Sequence, residues 1–251
     1  MQYFVHKDSI VRQIWGRADA ALFIFAGSAA EFALNKAVDW LYFTGRLPAD
    51  PLGRLFSTIS YARQIIFSDE YTAHYAIDKM SSIHSAVEKA RGTQIPDWAY
   101  RDVLFMLIHY SIASYELLYR KLSDEEKQEV FDVFHRVGSR MNLKELPADY
   151  NKWLPERKKH LDEDLYNGYY TADLYKQYRR QLGPFRYWLL IEGQKSIAPV
   201  QVRKLLGLSR VSFVTIAAPF YKLSRRLKLD GYLKSWLLPK DYKKQIMELD
   251  V

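Results

Sequence analysis

Residues 96–126 read PDWAYRDVLFMLIHYSIASYELLYRKLSDEE, and this stretch decides the fold class. Pro96 and Asp97 predict a helix start. Proline fits the first helical turn, and a carboxylate there interacts favourably with the unpaired N–H groups at the helix N-terminus. Apolar side chains then recur every three or four residues as far as Lys121, as they do on one face of a helix. Ser123–Glu126 has the pattern of a capping box, which predicts a second helix directly after the first.

The same spacing continues along most of the chain. Asp50 followed by Pro51 predicts another helix start, and so does Asp69 followed by Glu70. Breaks that divide the rest into shorter helices are expected at Leu146–Asp149, Thr171, Pro184, Pro199 and Ser209. Only 11 glycines and 9 prolines are present, which argues against a turn-rich all-β fold. We therefore predict an all-α protein, with residues 1–251 forming one helical domain.

The composition excludes several kinds of site. The 251 residues include no cysteine, so there is no disulfide scaffold, thiolate zinc site, iron–sulfur cluster or cysteine nucleophile. The most apolar window, Ala20–Ala30, is too short to span a bilayer and is predicted to be a buried core helix. The first residues do not resemble a secretory signal, so the sequence predicts a soluble, cytoplasmic protein.

Positive charge is concentrated in the last third of the chain. Residues 1–175 carry a net charge of −3, whereas residues 176–251 carry +11. Within this part, residues 219–244 alternate basic side chains with leucine, phenylalanine and tryptophan. Such a segment either packs its apolar side on the domain or lies on an anionic membrane surface. It would also attract nucleic acid nonspecifically, but no nucleic-acid-binding motif is present, so no specific nucleic acid is expected.

Four residues are candidates for site chemistry before any family is considered. His84 and His109 each lie in apolar helical surroundings, where an imidazole is either a hydrogen-bonded core group or a ligand to a metal or haem. Arg54 and Thr58 are four residues apart and therefore share one helix face. That face is either solvated or directed into a pocket, and both interpretations remain open at this point.

The order of six short segments resembles the MpaB-type oxygenase superfamily, which includes the rubber oxygenase known as latex clearing protein. These segments are Asp50–Thr58, Ile83–Val87, Leu107–Ser111, Leu122–Glu126, Leu146–Asp149 and Pro199–Leu208. The resemblance covers about residues 10–210, and residues 211–251 form a basic amphipathic extension.

The resemblance implies a globin-like helical core that holds one haem b. It implies an oxygenase that activates O₂ and cleaves carbon–carbon double bonds of an apolar, isoprenoid- or lipid-like substrate. Arg54 and Thr58 would then flank the haem, and His84 would be the axial ligand of the iron. His109 is the alternative ligand, or a group adjacent to it.

Two other functions are kept as hypotheses. One is a non-catalytic helical module that binds an apolar ligand without haem. The other is a protein that acts at a membrane surface through its basic C-terminal third. For either the enzyme or the binding module, we expect a cytoplasmic protein that associates peripherally with the inner face of the membrane.

Overall fold

The structure is a computed structural model that describes residues 2–43, 45, 49–215 and 217, with only the backbone described at residues 41, 51, 52 and 54–56. These residues form ten helices and no β-strand, which confirms the predicted all-α class. The helices are α1 (Ile10–Trp15), α2 (Ala18–Leu34), α3 (Asp39–Phe43), α4 (Pro51–Phe67), α5 (Glu70–Arg91), α6 (Asp97–Leu118), α7 (Asp124–Arg140), α8 (Tyr150–Glu163), α9 (Tyr169–Ile197) and α10 (Val200–Leu205).

Local capping explains where several of these helices begin. The side chain of Asp50 accepts a hydrogen bond from the backbone N–H of Gly53 at 2.9 Å, and Asp69 caps α5 in the same way. Ser123 and Glu126 form the predicted capping box of α7. These starts were predictable because each depends on residues only three positions apart.

One helix boundary differs from the sequence prediction, and one predicted break is confirmed. The long helix predicted to reach Lys121 ends at Leu118. The break expected at Pro184 is confirmed, because two helical segments of α9 (Tyr169–Ile197) meet at a kink where Gly183 is not helical. Gly183 adopts a left-handed φ of 70° there, so the chain changes direction and helical structure resumes directly after it.

Helix α2 lies at the centre of the fold, where it packs against both α6 and α9. The apolar window Ala20–Ala30 belongs to α2 and is largely buried, as predicted. Gly27 allows α6 to approach closely, because a Cβ atom at this position would lie only 2.2 Å from the ring of Tyr110. The close approach of α2 and α6 at this point therefore requires glycine.

A buried ionic cluster joins α2, α6 and α8. The guanidinium of Arg157 donates two hydrogen bonds to the carboxylate of Glu31, which also accepts one from the Tyr110 hydroxyl at 2.8 Å. A nitrogen of Arg157 lies 3.5 Å from Asp102, whose other oxygen accepts a hydrogen bond from Asn35. Burial and the neighbouring Glu31 raise the pKa of Asp102 well above its ordinary value.

Among the residues that the structure describes, no helix is both long enough and apolar enough to cross a membrane.

Candidate functional site

An apolar cavity lies among α4, α5, α6 and α7, and the chain around α3 closes one side of it. Its volume is about 170 Å³. An apolar cavity of roughly 150 Å³ stays dry and binds benzene or xenon, so a space of this size and character suits an apolar ligand. The lining residues are Phe32, Asn35, Ala37, Trp40, Thr58, Tyr61, Ala62, Ile65, Ile66, Met80, His84, Ile95, Ala99, Tyr100, Val103, Leu104, Leu107, Val133, Phe134, Val137, Met141 and Leu143.

Few polar side chains face this cavity. Its lining as described contains no Asp, Glu, Lys or Arg, and a single imidazole, that of His84. Ligand pockets commonly combine apolar walls with a small number of polar groups that fix orientation. Here His84 and Thr58 bring an imidazole and a hydroxyl to one apolar space.

Tyr100 holds its ring against the His84 imidazole. The two ring centroids are 5.2 Å apart and the rings meet edge to face at 65°. The hydroxyl of Tyr100 donates a hydrogen bond of 3.1 Å to the carboxylate of Glu88. Burial and this carboxylate raise the pKa of Tyr100, so the phenol stays protonated at neutral pH.

Glu88 also fixes the chain that connects α5 to α6. The same carboxylate oxygen accepts a hydrogen bond from the backbone N–H of Ile95 at 2.9 Å. Glu88 lies one helical turn beyond His84 on α5, and Tyr100 lies in the first turns of α6. One carboxylate therefore restrains both walls of the cavity next to the imidazole.

Thr58 lies where the cavity meets solvent, because it lines the cavity and is exposed. Arg54 belongs to the same helix, one turn before Thr58, but its side chain lies outside the described part of the structure. The predicted juxtaposition of Arg54 with Thr58 is therefore described for the backbone alone. Thr58 and His84 both line this one cavity.

His109 lies elsewhere. It does not line the cavity, although Leu107 on the same helix does, since two residues along a helix turn the side chain by about 200°. Its ring meets the Tyr110 ring edge to face at a centroid distance of 4.9 Å, and no hydrogen-bond partner for its Nε2 atom is found in the described part of the chain. Burial, with a smaller effect from Arg157, lowers the pKa of His109 to about 3.

Sequence reasoning missed Tyr100, Glu88 and Asn35 as site residues. The spacing of four between His84 and Glu88 was a readable signal, since it places both on one face of α5. Tyr100 and Asn35 had no comparable signal, because Tyr100 reaches the cavity from α6 and Asn35 from the residue after α2.

Comparison with models of known families gives a match over residues 13–227, which include Arg54, Thr58, His84 and His109. The matched family is described as ER-bound oxygenase mpaB/B'/rubber oxygenase, catalytic domain. The chain belongs to this family. Neither the curated proteins nor the solved structures gave a match. Membership in the mpaB/rubber oxygenase family confirms the resemblance. It supports oxygenase activity in general for this chain.

Proposed function

We propose that this chain is a haem b-dependent oxygenase that uses O₂ to cleave or oxygenate an apolar, unsaturated substrate such as an isoprenoid or lipid chain. The observation that carries the proposal is the apolar cavity, in which His84 contributes the single imidazole of the described lining. Membership in an oxygenase family supports the reaction class, and the apolar lining supports the substrate class.

The donor groups at the cavity suit a haem better than a bare metal ion. The described residues contain no group of three or more His, Cys, Asp or Glu side chains placed to hold an ion. Haem brings four nitrogen ligands of its own, so the protein needs to supply only an axial ligand, commonly an imidazole. In our proposal the imidazole of His84 would hold the haem iron, and Thr58 and Arg54 would help to bind the rest of the haem. When bound, the haem supplies the iron on which O₂ is activated.

The other residues of the site bind, orient and exclude water. The apolar walls formed by α4, α6 and α7 hold the hydrocarbon chain and keep water away from it. Tyr100 restrains the plane of the His84 ring, and Glu88 holds Tyr100 in place. Thr58 lines the cavity and is exposed, so in our proposal it contacts a polar group of the cofactor or product.

A second candidate function is binding of an apolar ligand without haem. The observation that favours it is the cavity itself, whose volume of about 170 Å³ and apolar walls suit a small hydrocarbon without a cofactor. This candidate predicts that apolar probes bind equally well whether or not haem is supplied.

The experiment is a haem titration of the purified full chain, followed by an activity assay with squalene, a short isoprenoid hydrocarbon, as the substrate probe. The oxygenase proposal predicts a Soret band at one haem per chain, O₂ consumption that depends on squalene, and carbonyl products. Absence of a Soret band under haem-replete conditions would contradict the proposal. Binding of benzene by such a haem-free protein would instead support the second candidate.

A further inference from the structure

Four apolar side chains are exposed together beside the second half of α9. They are Phe185, Trp188, Val211 and Phe213, with exposed fractions between 43% and 70%, and we call them the aromatic patch. The ring centroids of Trp188 and Phe213 are 6.0 Å apart, and those of Phe185 and Trp188 are 6.1 Å apart. Contiguous exposed apolar groups of this kind mark interaction surfaces more often than isolated ones do.

Hydrogen bonds hold the patch in this exposed arrangement. The carboxylate of Glu192 accepts a hydrogen bond from the backbone N–H of Phe213 at 2.6 Å. The Ser212 hydroxyl lies 2.9 Å from the backbone carbonyl of Glu192 and 2.7 Å from the hydroxyl of Ser196. Segment 211–213 is therefore hydrogen-bonded to α9. Val211 and Phe213 are exposed to solvent on either side of the buried Ser212.

The stretch of sequence that contains the patch is strongly basic. From residue 176 to residue 215 the sequence contains eight basic side chains and one acidic side chain, Glu192. Glu192 is buried and bonded to the ammonium of Lys195 at 2.6 Å, so it presents no negative charge to solvent. The exposed basic residues in this range are Lys176, Arg179, Arg180, Lys204 and Arg210.

We propose that the aromatic patch is a docking surface for an anionic lipid bilayer. Tryptophan and phenylalanine enter the boundary between headgroups and acyl chains, while basic side chains are attracted to anionic headgroups. The sequence continues the same combination, since residues 219–244 carry basic residues interleaved with leucines and Trp236. A second copy of the chain suits the surface less well, because docking it would bring two basic surfaces together.

The test is flotation of the full chain with phosphatidylcholine vesicles, with and without phosphatidylserine, at low and high salt. We expect binding to the anionic vesicles that weakens as salt is raised. Trp188→Ala/Phe213→Ala should weaken this binding about tenfold or more, because the apolar area that enters the bilayer is lost. Tyr71→Ala/Tyr75→Ala removes two exposed aromatic residues from α5 and is the matched control, which should bind as the wild type does.

A charge variant tests the second half of the proposal. Arg179→Glu/Arg180→Glu reverses two exposed charges and should reduce the preference for anionic over neutral vesicles. Thermal unfolding measured for each variant separates loss of binding from loss of fold. Failure of the wild type to bind anionic vesicles, or unchanged binding by the Trp188/Phe213 variant, would overturn the proposal. A wild-type dimer that dissociates in that variant would overturn it in favour of an interface between copies.

Discussion

The hydroxyl of Tyr100 donates a hydrogen bond of 3.1 Å to the carboxylate of Glu88, while the ring of the same tyrosine packs edge to face on His84. These two contacts connect α6 to the end of α5 beside His84, which lines the cavity. An imidazole that serves as an axial ligand must be held in one orientation, and groups around a metal ligand commonly do this. The pair is thus a positioning element for His84.

Removal of the Tyr100 ring should weaken haem binding. Tyr100→Ala is expected to lower haem affinity about tenfold, which is the lower end of the effect seen when groups around a metal ligand are removed. Tyr100→Phe keeps the edge contact and loses only the bond to Glu88, so its effect should be smaller. The measurement is the dissociation constant from a Soret titration, with the exposed Tyr71→Ala as control. Wild-type affinity in Tyr100→Ala would contradict this role.

The carboxylate of Glu88 has two bonding partners, so two substitutions there should differ. Glu88→Gln retains an oxygen that accepts from Tyr100 and from the Ile95 N–H, and it should bind haem nearly as the wild type does. Glu88→Ala removes both bonds and should resemble Tyr100→Ala in the titration. If Glu88→Ala retained wild-type haem affinity and spectrum, the restraint through Glu88 would be unnecessary.

Loss of the buried cation should destabilise the fold strongly. Arg157→Met leaves the carboxylates of Glu31 and Asp102 buried without a positive neighbour. Breaking a buried ion pair by removing one partner costs about 3–5 kcal/mol, and this loss should appear in urea unfolding. Lys159→Met changes an exposed charge on the same helix and should alter the free energy of unfolding by less than about 0.5 kcal/mol. Equal stabilities of the two variants would contradict the account of the cluster.

His109 should make the fold sensitive to acid. The pKa of His109 in the folded chain is about 3, lowered from the ordinary value of 6.5. Between these pH values the unfolded chain binds a proton at His109 and the folded chain does not. Above pH 6.5 the titration of His109 does not change the free energy of unfolding. As pH drops from 6.5 towards 3, it lowers the free energy of unfolding. At about pH 5 the loss amounts to at most about 2 kcal/mol.

His109→Gln should therefore lose less stability on acidification than the wild type. The measurement compares urea unfolding of both proteins at neutral pH and at about pH 5, so that a constant effect of the substitution cancels. The contribution of any group that titrates alike in both proteins cancels in this comparison. Parallel stability curves for the two proteins would mean that His109 is protonated in the folded state as readily as in the unfolded one.

The helices were predictable from the sequence where the information is local. The caps of α4, α5 and α7 each involve residues at most three positions apart, and the spacing of apolar residues identified α2 as a core helix. The break beside Gly183 was also predictable, because Pro184 cannot continue the hydrogen bonding of a preceding helix. Packing of neighbouring elements determines whether a helix resumes after such a position.

The candidate site could be predicted only in part. His84 and His109 have similar apolar neighbours in sequence, yet one lines the cavity and the other lies near the Arg157 cluster. That difference depends on which face of α6 packs against α2. This packing cannot be predicted from the residues that neighbour each histidine in the sequence. The bond between Glu31 and Arg157 spans 126 positions of the chain, so it too was invisible in the sequence.

The most direct test of the central claim is a haem titration of His84→Ala beside His109→Ala. His84 lines the cavity and His109 does not, so we expect the Soret band to be lost in His84→Ala and retained in His109→Ala. Thermal unfolding of both variants ensures that the comparison is made on folded protein. Retention of the wild-type Soret band in folded His84→Ala, with its loss in folded His109→Ala, would contradict the assignment of the site.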